Sequence, residues 1–112
     1  MEIKTVDNND LLKKYTEYLY KSRLSPNSRY AYLGDAREYM DYLGAAPAVE
    51  ATEETILKLI QYMVSQGQAN ASIQRKIVGV RSFYKFLKAK GLVDHNPVKA
   101  FTAAKVNELI NA

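Results

Sequence analysis

A chain of 112 residues is long enough for one compact domain and too short for two, and its 47% hydrophobic content is enough to bury a core. With no cysteine it has neither a disulfide framework nor a thiolate metal site, and it suits a reducing, cytoplasmic setting. The net charge of +4 is one-sided: residues 1–50 hold seven Lys/Arg against eight Asp/Glu, residues 51–112 nine against four.

From Leu57 to Val93 there are seven basic residues and no acidic one. Such a field favours a polyanion partner, with a solvated lysine-rich face as the plain alternative. No apolar run approaches the roughly 18 residues that a membrane span needs. Residues 1–9 lack the basic-then-apolar layout of a signal peptide and read as a flexible N-terminal segment.

The first helix is predicted from Asp10 to Arg23, capped by Asn9 or Asp10, with Leu11, Leu12, Tyr15, Tyr18 and Leu19 at helical spacing. LSPNS interrupts it. Ser25 is a good N-cap, and Pro26 then falls at the first helical position, where its missing N–H costs nothing. The second helix runs from Pro26 to Leu43, with Tyr32, Leu33, Ala36, Tyr39, Met40 and Leu43 as its apolar stripe. Gly34, Arg37, Glu38 and Asp41 lie opposite.

GAAPAVEA reads as a loop. Thr52 caps a third helix whose first turn carries Glu53 and Glu54, as the helix dipole prefers, and Gly67 ends it. The fourth helix, NASIQRKIVGVRSFYKFLKAKG, holds six cations, with Asn70 or Ser72 as its cap and Gly91 as its stop. A final segment from Pro97 has helical spacing at Phe101, Val106, Leu109 and Ile110. No stretch alternates with period two. The predicted fold is all-α, a compact bundle of four main helices plus a short C-terminal helical segment.

Self-contained catalysis lacks its parts. The single histidine, His95 in VDHNP, has no clustered second ligand and reads as a turn residue before Pro97. No Gly-rich phosphate loop or G-x-S-x-G occurs, and no cofactor or metal is implied. Binding remains. On a helical wheel Ile73, Ile77, Val80, Tyr84 and Leu87 form the core face of the fourth helix, while Ser72, Arg75, Gly79 and Ser82 lie opposite. Small residues around one arginine suit close approach to phosphate or a guanine edge. Alternatively, Gly79 and Ser82 pack on a neighbouring helix. The start of the second helix, with Ser25, Asn27, Ser28 and Arg29, has the makings of a phosphate site, although capping by Ser25 accounts for the same residues.

Several motifs then fall in order: LLKKYTEYL, SPNSRYAYLGDAREY, an I-x-x-L-I-x-Y-M helix, SIQRKIVGVRSFYKFL and GLVDHNP. Together they resemble the N-terminal core-binding (SAM-like) domain of tyrosine recombinases, the phage integrase family, over about Leu11 to Val98. The resemblance implies half of a clamp around duplex DNA, with the second and fourth helices facing the major groove. By position it points to Ser25, Asn27, Ser28 and Arg29, and to Ala71, Ser72, Arg75, Lys76 and Gly79, with Arg81 near the DNA backbone.

Ser28 stands where threonine is more usual, and Arg29 where an apolar residue is common. The resemblance also implies a core-binding domain over 10–98, and 99–112 as a helical segment or the start of a linker. It implies as partners double-stranded DNA at a recombination core site, a separate C-terminal catalytic domain and other recombinase protomers, in a bacterial, phage or mobile-element setting. This chain would then not break or join DNA alone. The rival reading is a helical protein-interaction module with an exposed apolar patch at Phe101, Val106 and Ile110.

Overall fold

The computed structural model describes residues 7–112. Five α-helices follow one another: α1 (Asn8–Lys21), α2 (Pro26–Leu43), α3 (Glu53–Ser65), α4 (Asn70–Ala89) and α5 (Ala103–Ile110), with a 3-10 turn at Ala48–Glu50 before α3. There is no strand among the described residues, so the all-α expectation holds. Residues 1–6 of the expected flexible segment lie outside the described residues. Asn8 and Asn9 already belong to α1, capped by Asp7, whose carboxylate accepts from the Asn9 N–H at 2.8 Å.

Asn8 also fastens the loop after α2. Its amide donates to the Ala46 carbonyl at 2.9 Å, and its oxygen accepts from the Ala48 N–H at 2.8 Å. α2 begins where Ser25 and Pro26 predict and ends at Leu43, as expected, with Gly44 as its C-cap. Thr52 starts α3 by donating its own N–H to Thr55 Oγ1 at 3.0 Å. α4 departs from expectation: Ala69 sits at its N-cap and makes no side-chain bond, while Asn70 donates instead to Asn107 of α5 at 3.0 Å.

α4 is the centre of the molecule. Ile73, Ile77, Gly79, Val80, Phe83, Tyr84, Phe86 and Leu87 are all buried, with α2, α3 and α5 packed along the helix and the tyrosines of α1 against its second half. Tyr15 of α1 packs edge-on against Phe83 with ring centroids 5.2 Å apart, and Tyr18, half-exposed despite its place in the apolar stripe, lies 4.8 Å from Phe86. The Tyr39 and Tyr84 hydroxyls meet at 2.6 Å, and Tyr84 donates on to the Ala48 carbonyl at 2.8 Å. The carbonyl can only accept, so Tyr39 is the donor to Tyr84. Burial pushes the Tyr39 phenol up to about 12 and raises those of Tyr15 and Tyr84 in the same direction.

The C-terminal segment is docked. Phe101 and Val106 are buried, Leu109 and Ile110 half-buried, and α5 packs on α3 and α4. The helix starts at Ala103, after turns at Pro97–Ala100, with the Thr102 hydroxyl accepting from the Lys105 N–H. The apolar patch required by the interaction-module reading is therefore part of the core.

Candidate nucleic-acid interface

The two nominated surfaces belong to helices that pack on each other, α2 and α4. Asn27, Ala71 and Ser72 are exposed, as expected. At the start of α2, Ser25 Oγ accepts from the Ser28 N–H at 3.2 Å and lies 3.1 Å from Ser28 Oγ, to which it donates. The Arg29 N–H bonds the Ser25 carbonyl at 2.9 Å, and Pro26 has no N–H to offer. Of the first-turn amides only that of Asn27 is left open to a ligand, so capping explains much of this motif. The Arg29 guanidinium lies 4.4 Å over the ring of Tyr20, itself 64% exposed. A stacked guanidinium keeps its N–H edges turned outward.

On α4, Arg75 is half-exposed and donates from Nη1 to Asp35 Oδ2 at 2.9 Å. Lys76 is largely covered: its ammonium donates to Glu38 at 2.9 Å and to Gln68 at 2.8 Å, which ties α2, α4 and the loop before α4 together. Two expectations need correction. Gly79 is not on an open face, because it is buried in the α2–α4 contact, where a Cβ would lie 2.3 Å from Asp35 Oδ2. The alternative, packing on a neighbouring helix, is the right one for it, and Ser82 likewise meets the Tyr15 hydroxyl at 3.4 Å.

Arg81 is also turned away from the nominated face. Its guanidinium donates to the Phe101 carbonyl, and its own carbonyl accepts from Asn96 at 3.2 Å. Together with Gln74, which donates to the Ala103 carbonyl at 2.9 Å, it holds the approach to α5. That flank of α4 is covered by the C-terminal segment, which the wheel of a single helix cannot foresee.

Asp35 escaped the sequence reading. It is 5% exposed and the one buried charged residue of the described chain. Burial raises its carboxyl above the ordinary range, and Arg75 pulls it only part of the way back. A signal was present: Asp35 stands three residues after Tyr32 and four before Tyr39, on the apolar side of α2. Tyr20 and Tyr30, the latter 81% exposed, also flank Arg29 at the surface. No group of His, Cys, Asp and Glu among the described residues is arranged to hold a metal ion, and no described helix is long and apolar enough to cross a membrane.

The exposed start of α4, its half-exposed arginine and the arginine stacked at the start of α2 offer polar hydrogen, hydroxyl and cationic groups to an anionic partner. The sequence profile of the family described as "Phage integrase, N-terminal SAM-like domain" matches residues 12–91. Curated relatives include tyrosine recombinase XerD of Halalkalibacterium halodurans, 30% identical over 98% of this chain and 42% of its own length. Tyrosine recombinase XerD of Chlorobaculum tepidum is 37% identical over 79% of this chain and 30% of its own length. Tyrosine recombinase XerC of Roseiflexus sp. is 27% identical over 88% and 33%. The chain thus spans between about a third and two fifths of the length of these relatives. No solved structure matches it significantly.

Proposed function

Since the chain belongs to the phage integrase N-terminal SAM-like domain family, we propose that it is the DNA-gripping domain of a tyrosine-type site-specific recombinase. In this reading residues 10–98 bind the duplex at the core site, and 99–112 lead towards a catalytic domain that supplies the tyrosine nucleophile. Its partners are double-stranded DNA, that catalytic domain and further recombinase protomers on the same site, in the cytoplasm of a bacterial host.

The observation that best supports this reading is the start of α4. Ala71 and Ser72 are exposed, and Arg75 stands half-exposed beside them. Small residues permit close approach of a helix to a groove, and an arginine among them can bond a base edge or a phosphate. Ser25, Asn27, Ser28 and Arg29 flank this surface from α2 in the proposed complex, with Arg29 set against the phosphates. Lys76 contributes charge from a restrained position, and Gly79 and Arg81 act through the fold.

Duplex titration at several salt concentrations tests the proposal. Three phosphate contacts give a log–log slope near −2.7, or roughly a 40-fold loss between about 50 and 200 mM salt. Affinity that does not change with salt would contradict it.

A further inference from the structure

A buried carboxylate is costly, and an apolar side chain in its place would be at least as stabilising for most folds. Asp35 occupies such a place. It lies on the core side of α2 between Leu33, Ala36 and Tyr39, and Arg75 is its hydrogen-bond partner across the helix contact. The space it fills exists because Gly79, one turn along α4 from Arg75, has no side chain: a Cβ there would meet Asp35 Oδ2 at 2.3 Å, its Cβ at 2.6 Å and its Cγ at 2.7 Å. The bond engages Nη1 alone. Among the described residues no protein acceptor takes Nε or Nη2 of Arg75.

We propose that Asp35 is a positioning residue for DNA recognition: it fixes the Arg75 guanidinium so that its Nε–Nη2 edge points outward, ready for a bidentate contact with a base or phosphate of the duplex, and Gly79 provides the room for it. The proposal rests on the reading of Arg75 as a DNA contact. An unrestrained arginine loses rotamer entropy on binding, and one already held by a second group loses less. The carboxylate also has a sign against it. A negative charge close to the DNA surface weakens binding by itself, so its presence is useful only if orientation outweighs repulsion.

That opposition of signs makes the test decisive. The affinity of a mixed-sequence duplex is measured by fluorescence anisotropy at low salt for the wild type, Asp35→Ala, Asp35→Asn, Arg75→Ala and the double variant Asp35→Asn/Arg75→Ala. Removing the carboxylate as a mere charge strengthens binding. Removing a positioning group weakens it by about fivefold, the low end of what one bidentate arginine contact contributes.

Asp35→Asn, whose amide oxygen still accepts from Nη1, recovers part of the loss. The double variant binds no worse than Arg75→Ala, and it reads the loss of Arg75 by itself if the unpaired buried carboxylate of Arg75→Ala prevents folding. In the free protein, nitrogen NMR shows slow guanidinium rotation for Arg75 that becomes fast in Asp35→Ala. If Asp35→Ala folds and binds as well as the wild type or better while loss of Arg75 weakens binding, the positioning role is wrong and the DNA reading stands. Additive losses from Asp35 and Arg75 also overturn it. If loss of Arg75 changes nothing, the DNA contact itself is wrong and the inference goes with it.

Discussion

Two glycines in helices show how a residue's meaning depends on what faces it. Gly34 has nothing within 4 Å of where a Cβ would lie, whereas Gly79 would place its Cβ on the Asp35 carboxylate. Gly34→Ala is expected to stabilise the protein by about 0.5–1 kcal/mol through helix propensity. Gly79→Ala is expected to destabilise it by about 1–3 kcal/mol, since neither helix can retreat without opening the core. Urea midpoints of the two variants check both signs. The tyrosine pair makes a pH prediction. The Tyr39 phenol is raised from 10.0 to about 12 by burial, so the folded state holds its proton more tightly than the unfolded chain. Its stabilising contribution is complete below pH 10 and is lost as pH rises through about 12. Unfolding midpoints followed across that window fall steeply in the wild type and less steeply in Tyr39→Phe.

At the scale of elements, α5 is held to α4 through Arg81, Gln74 and Asn70 as well as through Phe101 and Val106. Arg81→Ala is expected to speed hydrogen exchange in Ala103–Ile110 while leaving the salt slope of DNA binding unchanged; a shallower slope would return Arg81 to the phosphates. The helices themselves were legible in the sequence because their signals are local. Ser25, Pro26 and Gly44 punctuate α2, and the spacing of Ile73, Ile77, Val80, Tyr84 and Leu87 marks the core face of α4. What was not legible depends on a second helix. A wheel shows Gly79 opposite the core face, yet α2 covers that position with Asp35. It shows Arg81 on a polar flank, yet Phe101 and Ala103 arrive there from 20 or more residues away. The α4 cap differs from expectation for a similar reason, since Asn70 finds a partner on α5 instead of its own backbone.

At the scale of the molecule, the bundle measures 45 × 36 × 21 Å, thin enough that its short dimension is about two helix diameters. In a slab of this kind nearly every helix has one face towards solvent, so exposure alone cannot single out a binding face. The proposed face rests on charge and position instead: the basic run from Leu57 to Val93 contains α4, and the family profile, which matches residues 12–91, spans both α2 and α4. The six cations of the stretch from Asn70 to Gly91 are not equivalent. Lys76 and Arg81 serve internal contacts, Lys85, Lys88 and Lys90 lie towards the helix end, and Arg75 is the one beside the exposed Ala71 and Ser72. Joint contact of the start of α4 and the start of α2 with duplex DNA is the proposal on which the rest depends. It is tested most directly by titrating the folded protein with duplex at low salt while following backbone amide signals. The signals expected to move are those of residues 25–29 and 70–76. Signals that stay still there, or move only on α3 and α5, would contradict it.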